Sequence, residues 1–448
     1  MPHLPDPPGL PDSPDLLDPP RLGQARRYFL QEGARALTSL ALGSGLAAVP
    51  HARAEPDATP ESLPDWAPEQ PGTLRVLATR NSFLSQNSRL PGWESAFGTL
   101  VDDYSGGVFN PYWGRYGAMV FHGGGHSATF DNSVVLLDLN DLAFKRVSNP
   151  TLPQGGRHWA DARQLPGGVD TALDVAHCEY GDGQPGAGHS YDALAILPPD
   201  AGGAACGSLL RVASFAVHVN ASCNTGWAQR FDFPSTTLRE GRWRRASGNT
   251  LEGYLAPGGC SAWDSRRQRV WWLASLTSAP GHVRYLDVAS GQQMQVPLER
   301  GAGLAPFAAP DSATLRYDPA HDLLLMTCSV GRDMVLAYLR CAQPQAGWVV
   351  PTLSQHMPSL PNASVGFDRV APLQTYVLLS AADSHAVYAL RIPDALAEPW
   401  PLVRQPLQRL ELPTARVVGK RWSYCEAARC FVWMASSSSP VVAYRPLR

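Results

Sequence analysis

The sequence predicts an all-β fold, a six-bladed β-propeller, from three observations. A short phrase in which an aromatic residue precedes aspartate recurs along the chain, an apolar run follows each copy, and a further apolar strand completes each unit. Spacings of 54, 50 and 57 residues separate the later aromatics, Trp263, Tyr317, Phe367 and Tyr424. A period of about 50 residues is typical of propeller blades, which hold four strands each. A β-sandwich or a solenoid explains this period less well.

The first predicted element is a targeting segment. Residues 25–31, ARRYFLQ, resemble a twin-arginine export motif, an apolar region follows at 34–49, and Ala52-Arg53-Ala54 fits a peptidase site. We therefore expect a twin-arginine signal peptide with a proline-rich leader at 1–54, a disordered linker at 55–72, and a periplasmic or secreted propeller at 73–448. An amphipathic N-terminal helix is the alternative. A membrane span is not expected, because the apolar run is shorter than about 20 residues.

The composition restricts the partners and the redox state. A formal net charge of −2, a pI near 6.6 and 17% charged residues give no basic surface for nucleic acid. We expect a monomer. All eight cysteines follow the targeting segment, and an even count in an exported chain favours disulfides. The preferred pairs are Cys425–Cys430, Cys328–Cys341, Cys206–Cys223 and Cys178–Cys260, although spacing does not settle the connectivity. A zinc site that uses Cys178 is a weaker alternative, since the chain has no C-x-x-C motif.

Residues 117–149 contain the clearest blade. An apolar run at 118–121 meets the glycines 123–125, an Asp131-Asn132 turn follows, and further strands are predicted at 134–139 and 144–147. Two apolar strands broken by glycines suit a sheet buried on both faces. This order resembles a kelch repeat, and residues 73–448 as a whole resemble the kelch and galactose oxidase-like propellers. That resemblance implies a fold rather than an activity. The chain has no Tyr-His pair of the kind found at the galactose oxidase copper site.

The later blades follow from the repeated phrase. Each copy of the phrase is expected to form an inner strand and a turn, and the apolar run after it to form the second strand. The five copies are Tyr191-Asp192 with 193–197, Trp263-Asp264 with 270–273, Tyr317-Asp318 with 323–326, Phe367-Asp368 with 376–379, and Tyr424-Cys425 with 431–434. The aspartates are expected to bind turn amides. Third strands are predicted at 134–139, 227–233, 283–288, 335–339, 386–392 and 441–444. The last unit lacks a fourth strand, and an isolated strand at 73–78 would supply it and close the ring. A seventh blade between 83 and 116 remains the alternative.

The histidines predict a functional face. Loops that join second to third strands, and fourth strands to the next blade, emerge together on one face of a propeller, here called the 2–3 face. Such loops are expected to carry His126, His218, His282 and His385, with Arg332 at the like position of another blade. His122 would end the second strand of the first blade. The long crossover at 150–189, which is expected to be functional because of its length, adds Arg157, His158, Trp159, Asp161, His177, Glu179, Tyr180 and His189.

Two reactions fit this set of residues, and no cofactor is identified beyond a divalent metal as a candidate. The metal would be held by His122, His126 and His177, with His189 as an alternative third ligand. In a lyase-like reaction, a histidine and a tyrosine, such as His189 and Tyr191, would remove a proton beside a uronate carboxylate that Arg157 or Arg230 neutralises. This second reaction is what a resemblance to propeller polysaccharide lyases implies. Carbohydrate is the expected partner, because Trp113, Trp159 and Trp227 are expected to be exposed and to stack on sugar rings.

A non-catalytic binding or scaffold protein is the second functional hypothesis. Glycines in the HGGGH stretch also serve packing alone, and a polar residue before a third strand often caps a turn. The chain has no GxSxG, P-loop, dinucleotide-binding, HExxH or catalytic-cysteine signature. Serine-hydrolase, nucleotide and flavin chemistry are therefore not expected.

Overall fold

A computed structural model shows six antiparallel sheets arranged as the blades of a β-propeller. It describes residues 62–86, 101, 106–123, 131–151, 173–174, 178–188, 190–212, 214–217, 222–235, 241–251, 259–273, 282–299, 311–330, 333–358, 365–380, 382–407, 411–413, 415 and 418–447. These residues belong to one unit of the chain, Glu61–Arg448. The predicted export segment at 1–54 lies outside them and stays a prediction. Within the described part, no helix is both long and apolar enough to cross a bilayer.

The strands follow the chain from blade to blade. Strand β1 (Leu74–Val76) comes first and belongs to the sixth blade. Blade 1 contains β2 (Gly107–Asn110), β3 (Ala118–His122), β4 (Val134–Asp138) and β5 (Ala143–Ser148). A small hairpin of β6 (Leu173–Asp174) and β7 (Glu179–Tyr180) precedes blade 2. Blade 2 contains β8 (Leu194–Leu197), β9 (Ser208–Arg211), β12 (Gln229–Asp232) and β13 (Arg242–Arg245), with the hairpin β10 (Ser214–Val217) and β11 (Ser222–Thr225) inserted after β9.

The remaining blades repeat the same order. Blade 3 contains β14 (Cys260–Asp264), β15 (Arg269–Leu273), β16 (His282–Asp287) and β17 (Gln292–Pro297). Blade 4 contains β18 (Asp311–Asp318), β19 (Leu323–Val330) and β20 (Asp333–Arg340). Blade 5 contains β21 (Val365–Val370), β22 (Thr375–Ser380), β23 (Ala386–Arg391) and β24 (Leu402–Pro406). Blade 6 contains β25 (Trp422–Cys425), β26 (Cys430–Met434) and β27 (Val441–Tyr444). Short 3₁₀ turns occur at Leu84–Gln86, Pro199–Ala201, Pro344–Ala346, Ala371–Leu373 and Gly419–Arg421.

The N-terminal strand closes the ring as predicted. β1 pairs antiparallel with β27, so that Leu74 lies opposite Tyr444 and Val76 opposite Val442. This pairing supplies the fourth strand of blade 6 and covers an edge that would otherwise be exposed. The segment before it, predicted as a disordered linker, is ordered from residue 62 onward. Ala67 is buried there, and the Arg445 side chain donates to the Glu69 carbonyl at 2.6 Å.

Six hydrophobic clusters separate the six blades. Alternate residues of one strand face opposite neighbours: Met119 packs in the cluster toward blade 6, whereas Val120 packs in the cluster toward blade 2. Further clusters lie between blades 2 and 3, 3 and 4, 4 and 5, and 5 and 6. This arrangement is why the apolar strands of the sequence are buried on both faces. Gly123 fits the predicted role of the blade-one glycines, since its φ is +115° and a Cβ would lie 2.7 Å from the Gly188 carbonyl oxygen.

The aromatic-aspartate phrase marks the inner strand and its turn in blades 3 to 5. The Asp264 carboxylate, for example, accepts the backbone N–H groups of Arg266 and Arg267 at 3.0 and 3.1 Å. Blade 2 departs from the prediction. Residues 193–197 were expected to form its second strand, but Leu194–Leu197 is the inner strand β8, and β9 is the second. Asp192 therefore precedes an inner strand, whereas Asp264 and Asp318 end theirs and Asp368 lies within β21.

Candidate functional site

A cavity of about 370 Å³ lies on the propeller axis. It is lined by residues of the six inner strands and of the segments next to them: Val108, Phe109, Pro111, Tyr112, Ala195, Ile196, Ala262, Trp263, Leu315, Arg316, Tyr317, Asp368, Arg369, Lys420, Ser423, Tyr424 and Glu426. We call it the channel cavity. Five of these side chains are aromatic and five are charged.

The channel cavity lies at the ends of the inner strands, not at their beginnings. Trp263, Tyr317 and Tyr424 all lie in the second half of their strands, and Tyr112 and Glu426 follow theirs and are exposed. Loops that join first to second strands are at this end of the channel, which we call the 1–2 face. Because neighbouring strands are antiparallel, the 2–3 face predicted from the histidines is the opposite end.

A buried lysine in the wall of the cavity contacts a buried aspartate. The Lys420 Nζ donates to the carbonyl oxygens of Asp192 and Leu194, both at 2.6 Å, and to the Ser261 hydroxyl at 3.1 Å. The Asp192 carboxylate accepts the backbone N–H groups of Leu315 and Lys420 at 3.0 and 2.8 Å. Blades 2, 3, 4 and 6 are thereby joined at one point on the axis.

Burial acts on both charges of this pair. It lowers the pKa of Lys420 to about 8, although the nearby Asp192 carboxylate opposes the change. Burial likewise raises the pKa of Asp192, which Lys420 and Arg316 oppose. Three acceptors surround the Lys420 Nζ, which matches the three N–H groups of an ammonium ion. This geometry suits an ammonium group, and the contacts of the pair join the four blades on the axis.

Arg316 and Asp368 continue this charged group along the wall of the channel cavity. The Arg316 guanidinium lies 3.6 Å from the Asp192 carboxylate and 3.8 Å from that of Asp368, and it stacks 5.5 Å from the centre of the Phe367 ring. Asp368 also accepts the backbone N–H of Tyr424 at 2.9 Å. These contacts fix the Arg316 guanidinium on β18 and the Asp368 carboxylate on β21 before any ligand enters.

The tyrosines of the channel cavity are held in their neutral form. Burial, together with the charge of Cys430, raises the pKa of Tyr424 to about 12. Burial and Asp264 raise the pKa of Tyr317 above its usual range, and its hydroxyl donates to the Asp322 carboxylate at 3.0 Å. At neutral pH the Tyr424 hydroxyl is thus available to a ligand as a donor or an acceptor.

His122, predicted as a metal ligand, is fully buried at the seam between blades 1 and 2. Its Nδ1 lies 3.2 Å from the Ser133 carbonyl oxygen, its Nε2 lies 3.4 Å from the Arg211 guanidinium, and its ring packs 4.6 Å from that of Trp243. Burial, and then the charge of Arg211, lowers the pKa of His122 to about 3. A guanidinium at this distance disfavours a metal cation, so this environment suits a neutral, structural histidine.

The other described residues of the predicted site are dispersed over several blades. Glu179 pairs with Arg245 at 3.1 Å, Tyr180 is buried beside it, and Arg230 pairs with Asp232. Tyr191 packs in the hydrophobic cluster between blades 2 and 3. His282 begins β16 with a buried Nδ1 that has no partner among the described residues. His385 precedes β23, as expected, and is exposed 3.5 Å from Glu411. The predicted residues outside the described part are His126, Arg157, His158, Trp159, Asp161, His177, His189, His218 and Arg332.

The described residues of the predicted site therefore do not come together as a centre for either predicted reaction. Among the described residues, no group of three or more His, Cys, Asp or Glu side chains could hold a metal ion. The metal and lyase reactions therefore stay predictions that depend on residues such as His126 and His177. The sequence did not predict Asp192, Lys420 or Arg316 as site residues, and it gave Asp192 only a role in a turn. One signal for Asp192 was available, because Tyr191 lies 72 residues before Trp263, well outside the spacing of the later repeats.

Two further predictions need correction. Trp113, expected to be exposed and to stack on sugar, is fully buried, and its indole N–H donates to the Asp138 carboxylate at 2.8 Å. Cys178 is disulfide-bonded, but none of the four predicted pairs is present, since each contains a free cysteine. Among the cysteines whose side chains the structure describes, the free ones are Cys206, Cys260, Cys328, Cys341, Cys425 and Cys430.

No protein-family model matches the chain, and no curated protein matches it. Similar solved structures include an α-L-arabinanase of Penicillium chrysogenum with arabinobiose, at 9% identity and a TM-score of 0.41, covering 73% of this chain and 88% of that one. Another is the α-L-arabinofuranosidase Arb93A of Fusarium graminearum with an iminosugar inhibitor, at 11% identity and a TM-score of 0.44. That match covers 77% of this chain and 97% of the other. A GH93 α-L-arabinofuranosidase of the same organism with arabinobiose matches at 12% identity and a TM-score of 0.43. That match covers 73% of this chain and 88% of the other. At this level of similarity they do not inform on this chain's ligand or chemistry.

Proposed function

We propose that the protein binds a saccharide in the channel cavity. The observation that supports this most directly is the wall of the cavity, which combines aromatic rings with fixed charged groups. Its volume of about 370 Å³ falls within the range of small-ligand sites, about 300–1,000 Å³. The face of a ring such as that of Trp263 can pack on the C–H groups of a sugar, while charged side chains bind its hydroxyls.

The mixture of charges favours a hydroxyl-rich ligand. Arg316 and Arg369 offer only donors, whereas Asp368 and Glu426 offer only acceptors when ionised. A hydroxyl group both donates and accepts, so a polyol can satisfy both types of side chain at the same time. A purely apolar ligand would leave these groups desolvated without partners, which costs free energy. We propose that the ligand is an extracytoplasmic glycan, in keeping with the export segment predicted at 1–54.

The test is glycan binding by the purified protein, compared between two tryptophan variants. Trp263→Ala removes a ring from the channel cavity. Trp227→Ala removes one from blade 2, where it lies 4.8 Å from the Arg245 guanidinium. After an array identifies a bound oligosaccharide, calorimetry should show that Trp263→Ala weakens binding about tenfold or more, the usual effect of truncating an aromatic anchor. Trp227→Ala should bind like the unmodified protein. Binding that is lost with Trp227→Ala and kept with Trp263→Ala would place the site elsewhere.

Catalysis at the 2–3 face is a separate hypothesis with a separate test. The unmodified protein, His126→Ala and His177→Ala are incubated with the bound glycan, and new reducing ends and unsaturated products are measured. Metal content is measured on the same samples. Turnover with stoichiometric metal that both variants lose would support the metal-dependent enzyme, and metal-free formation of unsaturated products would support the lyase. Binding without turnover in any sample would support the non-catalytic protein.

A further inference from the structure

Arg316 occupies a central place in the wall of the channel cavity. It lies on the inner strand β18, its side chain is 12% exposed, and its guanidinium packs over the Phe367 ring. Its Nη1 donates to the Leu315 carbonyl oxygen at 3.0 Å. A stacked guanidinium keeps one orientation, so the direction of its remaining N–H groups is fixed before a ligand arrives.

Part of this guanidinium has no hydrogen-bond partner. The Nη2 is buried and makes no hydrogen bond to any described residue. The two nearest carboxylates, of Asp192 and Asp368, lie 3.6 and 3.8 Å from other nitrogens of the group, beyond ordinary hydrogen-bond distance. Buried polar groups of native proteins are nearly always satisfied, and an exception calls for an explanation.

We propose that Arg316 binds the carboxylate of an acidic sugar, so that the saccharide of the channel cavity is a uronate. This inference rests on the proposed function and names the class of its ligand. The planar guanidinium can donate two parallel hydrogen bonds to a carboxylate, a geometry that arginine provides and lysine does not. An incoming carboxylate would bind the part of the guanidinium that lines the cavity.

The neighbouring charges favour a singly charged group. Arg369 and Lys420 also line the cavity, but Asp368 and Glu426 lie in the same wall. These two carboxylates would repel a phosphate, which carries nearly two charges at neutral pH, more strongly than a carboxylate. The sulfate ester of a sugar is also singly charged, so the experiment includes it as a separate ligand.

The experiment combines matched ligands with matched variants. Calorimetry compares a uronate oligosaccharide, the same oligosaccharide with its carboxyl groups reduced to alcohols, and a sulfated neutral counterpart. Each is titrated into the unmodified protein, Arg316→Gln, Arg316→Lys and a control variant, Arg404→Gln. Arg404 lies on β24 and pairs with Asp383. Thermal unfolding confirms that each variant is folded, and the comparison of ligands on the unmodified protein needs no variant.

The proposal predicts a specific pattern of affinities. The uronate should bind the unmodified protein about tenfold to a hundredfold more tightly than its reduced form, and Arg316→Gln should lose that preference. Arg316→Lys should restore it only in part, and Arg404→Gln should keep it. Equal binding of the acidic and reduced sugars would overturn the uronate assignment while leaving saccharide binding intact. Tighter binding of the sulfated sugar would also overturn it, and no binding of any sugar would reject the proposed function itself.

Discussion

Two groups of buried polar side chains serve different purposes in this propeller. At the seam between blades 1 and 2, His122 and Arg211 are sealed among ring and backbone groups, and the Arg211 guanidinium donates to the Gly186 carbonyl at 2.7 Å. On the axis, Lys420 and Asp192 are buried almost as deeply, but Lys420 and its neighbour Arg316 line the channel cavity. The difference shows that burial alone does not identify a functional group.

Position in the blade explains this difference. A seam lies between two sheets that pack face to face, so a polar residue there contacts only its neighbours in the core. The axis is where the six inner strands converge without filling the space, and a side chain there can contact a ligand as well as another blade. We therefore expect seam residues to control stability alone, and axis residues to control both stability and binding.

The largest expected effect is a difference in stability between variants of the two lysines of the chain. Lys420→Met removes the cation beside the buried Asp192 carboxylate and leaves two carbonyl oxygens without their donor, which should lower the free energy of unfolding by about 3–5 kcal/mol. Lys145→Met is the matched control. Lys145 pairs with Asp138 at 2.6 Å but is partly exposed, so its loss should cost only about 1 kcal/mol. Urea unfolding at pH 7 measures both values.

The double variant Asp192→Asn with Lys420→Met sharpens this test. If the two charges stabilise each other, its cost should be smaller than the sum of the two single costs by about 1 kcal/mol or more. Equal losses for Lys420→Met and Lys145→Met would contradict the picture of a charged anchor on the axis.

The second prediction concerns the seam and its dependence on pH. The pKa of His122 is about 3 in the folded protein and about 6.5 in the unfolded chain. The unfolded chain therefore binds the proton more tightly, and the stability associated with a neutral His122 is present above pH 6.5 and is lost as the pH falls toward 3. Between pH 8 and pH 5 this amounts to about 2 kcal/mol.

Unfolding measured across that range should show the loss in the unmodified protein and a shallower dependence in His122→Gln. The glutamine amide can still bind both the Ser133 carbonyl and Arg211, but it does not titrate. His385→Gln, which changes an exposed side chain, should leave the dependence unchanged. The prediction fails if His122→Gln and His385→Gln give the same curve.

The sequence predicted the fold well because blades are local units. The repeats of blades 3 to 5 each carry their own phrase aspartate and apolar strands, and the isolated strand at 73–78 matched the missing edge of the last blade. The exception was blade 2, where an apolar run after Asp192 was assigned to the second strand. Nothing in that short run distinguishes an inner strand from a second one, because both are buried on both faces.

The site was harder to predict because it depends on contacts between distant repeats. Asp192 meets Lys420 across 228 residues of sequence, and neither carries a motif that announces the pairing. The histidines suggested a site because of their chemistry. The structure places His122 at a seam and His282 and His385 on separate blades. Residue type indicates what a group can do, whereas only the folded ring determines which groups share a cavity.

The smallest expected effect compares two tryptophans, one at a seam and one on the axis. Trp113→Phe removes the indole N–H that binds Asp138 between blades 1 and 2, and should lower stability by about 1–2 kcal/mol without changing glycan affinity. Trp263→Phe keeps a ring in the channel cavity but makes it smaller, so it should weaken glycan binding by a few-fold and change stability little. Calorimetry and urea unfolding of both variants provide the comparison. Weaker glycan binding by Trp113→Phe would show that the seam and the axis are coupled, because a buried seam residue can influence the cavity only by shifting the inner strands.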